Sequence, residues 1–413
     1  MHLVDITMFY AANGGGVSTY INAKARWLAQ HSDVRHSIVS PNIKPGEADV
    51  TDSAVAAGGA GVTGVTGRAG RLGMPSIAFP GLHGYRMPLS ARAPVRLLRA
   101  LRPDLIEAGD AGHCAWAALR ASDALGIPAV AYYHSDLPRL MQRRFGKLAS
   151  RGAGRYLARL YRRFDLVLAP SRLMVDKLAD LGIDAVHQSL GIDTDVFRPH
   201  ADAGSLRAQL GLAAGTRLLV YAGRFTAEKK LGLLIDAVRR LGRPYHLLLI
   251  GGGGAMPGGR AGAVHAAAPA RVDTAITCLP FCADQRRLAR LLAGCDVLVH
   301  PGDCETFGLI VLEAMACGVP VVATGGAVAE LIDEHSGVLV RPDSVASLAE
   351  GIAAICQRDL AALGAAARHR ACRQHDWNSI MPQLLGRYAG LLGRERPGEL
   401  DMTLQFAGGY GGD

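Results

Sequence analysis

Short runs of β-branched and aliphatic residues alternate along the chain with segments of helical periodicity, and this alternation constrains the fold most strongly. A strand that is followed by a helix and then by another strand predicts a parallel sheet with helices on its faces. The pattern therefore predicts an α/β chain with two parallel sheets. Its strand candidates are HLVDITMF, HSIVSP, DLIEAG, AVAYYH, DLVLAP and AVHQSL in the first half, and RLLVYAG, HLLLIGG, AITCLPF, DVLVHP, VPVVAT and SGVLVRP in the second.

A polar segment containing proline and glycine, GIDTDVFRPHADAG, separates the two sets of strands and predicts a linker near residues 192–205. Because 413 residues exceed one ordinary core, we expect two Rossmann-like domains in tandem with a ligand cleft between them. We predict the first domain over 1–195, the second over 196–375, and a flexible tail over 396–413. Residues 57–73, rich in Gly, Ala and Thr, are predicted to form a mobile loop.

The composition argues against several classes of protein. No apolar run approaches the roughly 18 residues of a membrane span, and the N-terminus lacks the basic region of a signal peptide. The eight cysteines lie mostly in apolar patterns, as reduced cysteines do. Cys278 and Cys282 alone have a suggestive spacing, and without a second Cys or His pair we predict neither a metal site nor a cofactor. We therefore expect a soluble, cytoplasmic protein.

Positive charge is concentrated in the first half of the chain. The net charge is +9, and residues 1–195 hold 23 Lys and Arg against 16 Asp and Glu. Such stripes of arginine are either solvated helix faces or a surface for anionic lipid headgroups or an anionic acceptor. Nucleic acid is not an expected partner, because no aromatic residues interleave with the arginines as stacking platforms. The stripes comprise Arg92, Arg96, Arg99 and Arg102 on one predicted helix, and Arg151, Arg155, Arg159 and Arg162 on another.

A glycine-rich turn, NGGGVSTY, follows the first strand and opens a helix. Gly15 and Gly16 would let the backbone approach a ligand closely, and the N-terminus of the helix would favour a phosphate. A plain tight turn is the alternative. The segment does not fit a dinucleotide fingerprint, because it lacks the third glycine and the acidic residue that would hold a ribose.

Cationic and titratable side chains follow two other predicted strands. In YAGRFTAEKK, Arg224 and Lys229 lie across the turn into a helix, where they suit a diphosphate without a metal or are ordinary surface cations. In AYYHSDLPRL, His134 comes just past a strand end. Because ligands bind at the carboxyl ends of parallel strands, His134 is a candidate site residue, although a lone His is more often structural.

Two glutamates in the segment ETFGLIVLEAMACGVPVV are otherwise surrounded by apolar residues. A helix is predicted to start near Thr306, which places Glu305 at the edge of the cleft and Glu313 about two turns deeper. The free N–H groups of Phe307, Gly308 and Leu309 would then lie beside Glu305. A nucleotide-diphosphate sugar would use every polar group, with sugar hydroxyls near Glu305, a phosphate at the helix start and ribose hydroxyls near Glu313.

The chain resembles the retaining glycosyltransferases of family 4, which have the GT-B architecture. The resemblance runs over nearly the whole chain and is most specific in the two glutamates preceded by GR…EKK. It implies that Arg224 and Lys229 hold the diphosphate and that Glu313 holds the ribose. It also implies that Glu305 binds the donor sugar, His134 lies by the sugar 6-hydroxyl, and the Gly15–Gly16 turn faces the distal phosphate and acceptor. Residues 376–395 would form a helix that crosses back to the first domain.

The resemblance further implies a metal-independent hexosyltransferase that retains anomeric configuration. The loop YYHSDLPRL is most similar to the mannosyltransferase branch, so GDP-mannose is favoured as donor, with UDP-glucose or a similar UDP-hexose as the alternative. A lipid-linked or glycan acceptor of the cell envelope or of a polysaccharide is expected, with association at an anionic membrane face. Gly302 and Thr306 depart from the Ser and Gly that the family often has, which leaves the sugar and the acceptor open.

Other activities of the same architecture are alternatives. A nucleotide-sugar epimerase is one, and a phosphosugar synthase is another, although the arginines are too spread for a dedicated sugar-phosphate cluster. A non-catalytic nucleotide-sugar sensor would be expected to lack at least one of Arg224, Lys229, Glu305 and Glu313, and all four are present.

Overall fold

The chain folds into two seven-stranded sheets, and helices pack against each of them. The structure is a computed structural model that describes residues 1–10, 14–44, 69–78, 85–200, 205–253, 270–273 and 275–393.

The first sheet is parallel throughout and contains most strands of the first half. The strands of the first half are β1 (His2–Ile6), β2 (Arg35–Ser40), β3 (Ala69–Gly73), β4 (Ser76–Ala78), β5 (Arg86–Pro88), β6 (Leu105–Ala108), β7 (Ala129–Tyr132), β8 (Leu166–Ala169) and β9 (Val186–His187). The order across the sheet is β3-β2-β1-β6-β7-β8-β9, and β4 and β5 form a separate antiparallel pair.

The second sheet is parallel except at one edge, where β12 runs antiparallel to β13. Its strands are β10 (Arg217–Arg224), β11 (Tyr245–Gly252), β12 (Ala270–Asp273), β13 (Ile276–Leu279), β14 (Val297–His300), β15 (Val321–Ala323) and β16 (Gly337–Leu339). The order is β12-β13-β11-β10-β14-β15-β16, so the strands flanking β10 are the first and the fourth to follow it in the chain.

Helices connect the parallel strands, as such crossovers require. They are α1 (Gly16–His31), α2 (Arg92–Leu101), α3 (His113–Leu125), α4 (Leu137–Tyr161), α5 (Arg172–Ala179), α6 (Ser205–Gln209), α7 (Leu231–Leu241), α8 (Gln285–Ala293), α9 (Leu309–Ala316), α10 (Val345–Cys356), α11 (Leu360–His375) and α12 (Trp377–Leu391). Among the described residues, none of these helices combines the length and the apolarity needed to cross a bilayer.

All twelve predicted strands are present, which confirms the α/β class with two parallel sheets. The predicted loop 57–73 is wrong at its end, because residues 69–73 form β3. That strand pairs with β2 through backbone hydrogen bonds that the polar, glycine-containing sequence AGRLG does not signal. Residues 57–68 and the predicted tail lie outside the described residues, and the predicted domain boundaries stay predictions.

A fully buried lysine lies in the core of the first sheet. The Lys24 ammonium of α1 is 2.7 Å from Asp5 Oδ1 on β1 and 2.9 Å from Glu107 Oε1 on β6. His36 Nε2 is 2.7 Å from the other Asp5 oxygen, and the Tyr388 hydroxyl of α12 donates to Glu107. An ammonium can be buried only when it is paired and hydrogen-bonded, so the cluster binds α1 and α12 to the two central strands.

Helix α12 packs on the first sheet, although it follows the last helices of the second half. Besides Tyr388, Asn378 accepts a 2.8 Å hydrogen bond from Trp27 Nε1 of α1. The Arg387 guanidinium donates to the His187 carbonyl at 3.0 Å and to Gln188 Oε1 at 2.9 Å. The C-terminal helix is therefore part of the first sheet's packing.

Replacing Lys24 with Met should lower the free energy of unfolding by about 3–5 kcal/mol, because two carboxylates then lose their buried cation. Urea unfolding at neutral pH measures the effect. Arg163→Met is the matched control: Arg163 forms an exposed ion pair with Asp123, and its loss should cost less than about 1 kcal/mol. Equal losses in the two variants would contradict the role assigned to Lys24.

Candidate active site

The turn from β1 into α1 faces the second sheet. Gly14 and Gly15 have φ values of 91° and 126°, which a side chain would strain, and α1 begins at Gly16. A Cβ on Gly14 would come within 2.9 Å of Phe281 Cζ, and one on Gly16 would lie 3.7 Å from Leu309 Cδ1. The glycines thus permit a close approach between the N-termini of α1 and α9.

The segment from β14 to α9 carries Glu305. Helix α9 begins at Leu309, so its predicted start near Thr306 is wrong by one turn. The reason is Gly308, whose φ of 111° interrupts the helical backbone before the first turn. Phe307 and Gly308 therefore precede the helix, and the Phe307 side chain is buried in the core. Of the three predicted amides, only that of Leu309 belongs to the first turn.

Glu305 is held by two groups that both contact its Oε1 atom. The Lys229 ammonium pairs with this oxygen, and His300 Nε2 lies 3.2 Å from it. Within the described part of the chain, no hydrogen bond reaches Oε2. Burial opposes ionisation, but Lys229 and His300 outweigh it and hold the pKa of Glu305 well below its usual range. Glu305 is therefore a fixed anion with one oxygen free to accept hydrogen bonds.

His300 was missed by the sequence analysis. Its side chain is 2% exposed at the end of β14, and its Nδ1 atom is buried without a partner among the described residues. The available signal was its place as the last residue of a strand that leads to Glu305. A polar residue at the carboxyl end of a buried parallel strand is the same signal that singled out His134.

The two predicted diphosphate cations differ in their surroundings. Lys229 ends a 3-10 turn (Ala227–Lys229) and is 17% exposed, with its ammonium on Glu305. Arg224 is exposed at the end of β10, and no acidic side chain of the described residues forms an ion pair with it. The structure therefore brings Lys229, but not Arg224, into the Glu305 cluster.

His134 reaches the same region from the first sheet. It follows β7, its ring stacks on Tyr132 at 4.4 Å, and its carbonyl accepts a 3.0 Å hydrogen bond from Thr306 Oγ1. The Nε2 atom is buried and has no hydrogen-bond partner among the described residues. Burial, followed by the Lys24 charge, lowers the pKa of His134 to about 3, so the imidazole is neutral and can donate or accept one hydrogen bond.

Glu313 lies apart from the Glu305 cluster. It is 8% exposed on α9, and no described residue forms a hydrogen bond or an ion pair with its carboxylate. Burial raises its pKa to about 7. The carboxyl lines a small cavity with Thr19 and Arg26 of α1, Asp193 and Gln285. The hydrogen-bonding capacity of the Glu313 carboxyl is therefore unused among the described residues.

Hydrogen bonds join the two sheets' ends directly. Ser171 Oγ, at the start of α5, donates to the Thr306 carbonyl at 2.9 Å. Glu330 accepts from the backbone N–H groups of Arg172 and Leu173 at 2.9 and 2.8 Å, which places a second-half carboxylate on the N-terminus of α5. Together with the bond from Thr306 Oγ1 to the His134 carbonyl, they join the first half to the second half around the loop that carries Glu305.

A metal site was not predicted, and the described residues contain no group of three or more His, Cys, Asp or Glu side chains that could hold an ion. Cys278 is buried and Cys282 half-buried, and neither is part of a disulfide.

Comparisons with known proteins match both halves of the chain. The family model described as Glycosyltransferase Family 4 matches residues 14–196, and that described as Glycosyl transferases group 1 matches residues 216–358. A GDP-mannose-dependent alpha-mannosyltransferase of Mycobacterium tuberculosis is 28% identical over 334 residues, which are 78% of this chain and 82% of the relative. A GDP-mannose-dependent alpha-(1-6)-phosphatidylinositol dimannoside mannosyltransferase of the same species is 28% identical over 366 residues, or 84% and 86%.

Sucrose-phosphate synthase from Thermosynechococcus elongatus has the same fold. Its solved structure matches with a TM-score of 0.72 at 21% identity, covering 95% of this chain and 100% of that one. Two facing parallel sheets of this kind define the GT-B class. The chain belongs to the glycosyltransferases of group 1 and family 4, and it transfers a sugar from a nucleotide-sugar donor. The expected fold and family are confirmed, whereas the roles of individual residues stay predictions.

Glu313→Gln should stabilise the protein at alkaline pH. The carboxyl has a pKa of about 7 when folded against 4.5 ordinarily, so between these values the folded state binds more protons and stability falls as pH rises. Above about pH 8 the free energy of unfolding of the variant should exceed that of the wild type by on the order of 3 kcal/mol, since a tenfold change in an acid constant is worth about 1.4 kcal/mol. Urea unfolding at alkaline pH and near pH 4 measures the gain, and a gain independent of pH would contradict this assignment.

Proposed function

We propose that the protein is a retaining, metal-independent mannosyltransferase that uses GDP-mannose and a lipid-linked or glycan acceptor in cell-envelope or polysaccharide synthesis. The observation that carries the proposal is the Glu305 cluster, a fixed carboxylate with one free oxygen on the loop whose Thr306 hydroxyl bonds the His134 carbonyl. The buried Nε2 of His134 has no partner among the described residues. Such a pair suits a ligand that offers several hydroxyl groups between the two sheets. The protein would act in the cytoplasm, at the membrane face.

Each site residue has a proposed role. Glu305 accepts hydrogen bonds from the donor sugar through Oε2, and His134 bonds its 6-hydroxyl. Lys229 and Arg224 bind the diphosphate, and Glu313 accepts hydrogen bonds from the ribose. The Gly15–Gly16 turn approaches the distal phosphate and the acceptor. The start of α9 approaches the diphosphate through the segment Phe307, Gly308 and the amide of Leu309.

Transfer would proceed by displacement on one face of the sugar. The acceptor hydroxyl forms a bond to the anomeric carbon as the bond to the diphosphate oxygen breaks, and the departing phosphate takes the acceptor proton. The developing negative charge would be stabilised by Arg224, Lys229 and the N-terminus of α9. Closure of the cleft would exclude water and so limit hydrolysis of the donor.

The relatives that use GDP-mannose support the choice of donor. A UDP-hexose is the second candidate, because mannose and glucose differ only in the direction of one hydroxyl group. Nucleotide release with GDP-mannose and with UDP-glucose tests the choice directly. Turnover with UDP-glucose and none with GDP-mannose would identify a UDP-sugar as the donor, and the assignment as a transferase would still hold.

Lys229→Ala should lower kcat by about a hundredfold or more, as removal of a charge partner of the transition state does. Arg224→Ala should have an effect of similar size, whereas Glu313→Ala should mainly weaken nucleotide affinity. Steady-state release of the nucleotide measures both parameters. Arg240→Ala, at an exposed cation on α7, is the matched control and should retain normal turnover. Near-normal kcat in Lys229→Ala would contradict the diphosphate assignment.

Turnover should persist in excess EDTA, because Arg224 and Lys229 take the part that a divalent ion plays in metal-dependent transferases. The measurement is nucleotide release before and after chelation, at constant ionic strength. Activity that disappears on chelation and returns with magnesium or manganese would contradict metal independence.

A further inference from the structure

Helix α4 concentrates positive charge on one segment. Between Leu137 and Tyr161 the chain has seven Lys and Arg residues and no Asp or Glu. All of the cations except Arg139 are exposed, namely Arg143, Arg144, Lys147, Arg151, Arg155 and Arg159. Apart from Arg139, which pairs with Asp303, the cations of this helix form no ion pair with an acidic side chain of the described residues.

Apolar side chains protrude from the same segment. Leu148 is 82% exposed, more than any other large apolar side chain among the described residues, and Phe145 is 61% exposed. Gly146 lies between them with φ 82° and ψ −177°, so the helix bends at this point. A solvated helix face would present polar residues here, and the bend instead presents two apolar side chains surrounded by cations.

We propose that this bend, residues 143–151, docks on an anionic lipid bilayer. Phe145 and Leu148 enter the boundary between headgroups and acyl chains, and Arg144, Lys147 and Arg151 contact lipid phosphates. Apolar side chains within a basic segment are the combination by which monotopic proteins bind membrane surfaces. A nucleic acid would use the cations and leave Leu148 in water, so it fits the surface less well.

The docking surface is continuous with the active site. Helix α4 begins three residues after His134, Arg139 forms a 3.0 Å ion pair with Asp303, and Arg143 Nη1 donates to Cys304 Sγ at 3.1 Å. A membrane at the bend would thus lie beside the loop that carries Glu305. Delivery of a lipid-linked acceptor by this route rests on the proposed function, whereas the docking itself does not.

The test is co-sedimentation of the full chain with vesicles. Phosphatidylcholine vesicles are compared with vesicles that also contain phosphatidylglycerol, at low and high salt. The wild type should bind the anionic vesicles only, and salt should weaken this binding. Phe145→Ser with Leu148→Ser should reduce the partition coefficient at least tenfold. Arg144→Gln, Lys147→Gln and Arg151→Gln together should do the same and remove most of the salt dependence.

Arg92→Gln, Arg96→Gln and Arg99→Gln together provide the matched control, because they remove the same charge from the exposed face of α2. This variant should partition within about twofold of the wild type. An equal loss in the α2 and α4 charge variants would overturn the proposal, as would equal binding to both lipids or binding to a DNA oligonucleotide with no binding to vesicles.

Hydrolysis of GDP-mannose without vesicles separates the docking from the chemistry. The α4 variants should hydrolyse the donor at the wild-type rate, and circular dichroism should show a wild-type fold. If the α4 variants lost hydrolysis together with vesicle binding, α4 would be part of the catalytic fold, and the docking proposal would be overturned. Vesicle binding by a wild type that does not use GDP-mannose would support the docking and contradict the proposed donor.

Discussion

The buried ammonium group of Lys24 organises the half of the cleft that belongs to the first sheet. It bonds carboxylates on two central strands, and one of these, Glu107, also accepts from Tyr388 of α12. The same helix that carries Lys24 begins at the glycine turn facing α9. Tyr20, one turn earlier, has its ring centroid 5.3 Å from that of His134. The placement of the turn, of α12 and of His134 therefore depends on one charge, which cannot move without depriving two buried carboxylates of their ammonium partner.

The two parallel sheets and the edge of each sheet that carries site residues could be predicted, because parallel sheets follow a simple rule. Residues that follow parallel strands of one sheet meet at one edge, so Lys229 and Glu305 could be placed near one another, and His134 at the corresponding edge of the other sheet, without knowing any contact. The rule says nothing about which of them pair. That Lys229 and His300 both contact the same oxygen of Glu305 depends on side-chain directions set by the loop after β14, and a single glycine φ shortens the helix that follows.

Lys24 and β3 escaped prediction for a common reason. A lysine on an amphipathic helix normally lies in water, and only the three-dimensional meeting of Asp5 and Glu107 makes a buried place for it. Strand β3 is likewise defined by its partner, because β2 supplies the hydrogen bonds that make AGRLG a strand. The local composition of the sequence indicates neither the burial of Lys24 nor the strand β3. Thr306 could not be interpreted from the sequence for the same reason. The family often has glycine at this position, and the role of the threonine is evident only from the hydrogen bond that its hydroxyl donates to the His134 carbonyl.

The carboxylate of Glu330 has a consequence for motion. It caps α5 from the opposite side of the cleft, so the first turn of that helix is complete only while the two halves are together. Separation of the halves would leave the amides of Arg172 and Leu173 open to solvent at the moment the cleft admits a substrate. Deuterium uptake at these two amides would therefore count openings of the cleft, and the protein contains in its own backbone a reporter of how often its active site is accessible.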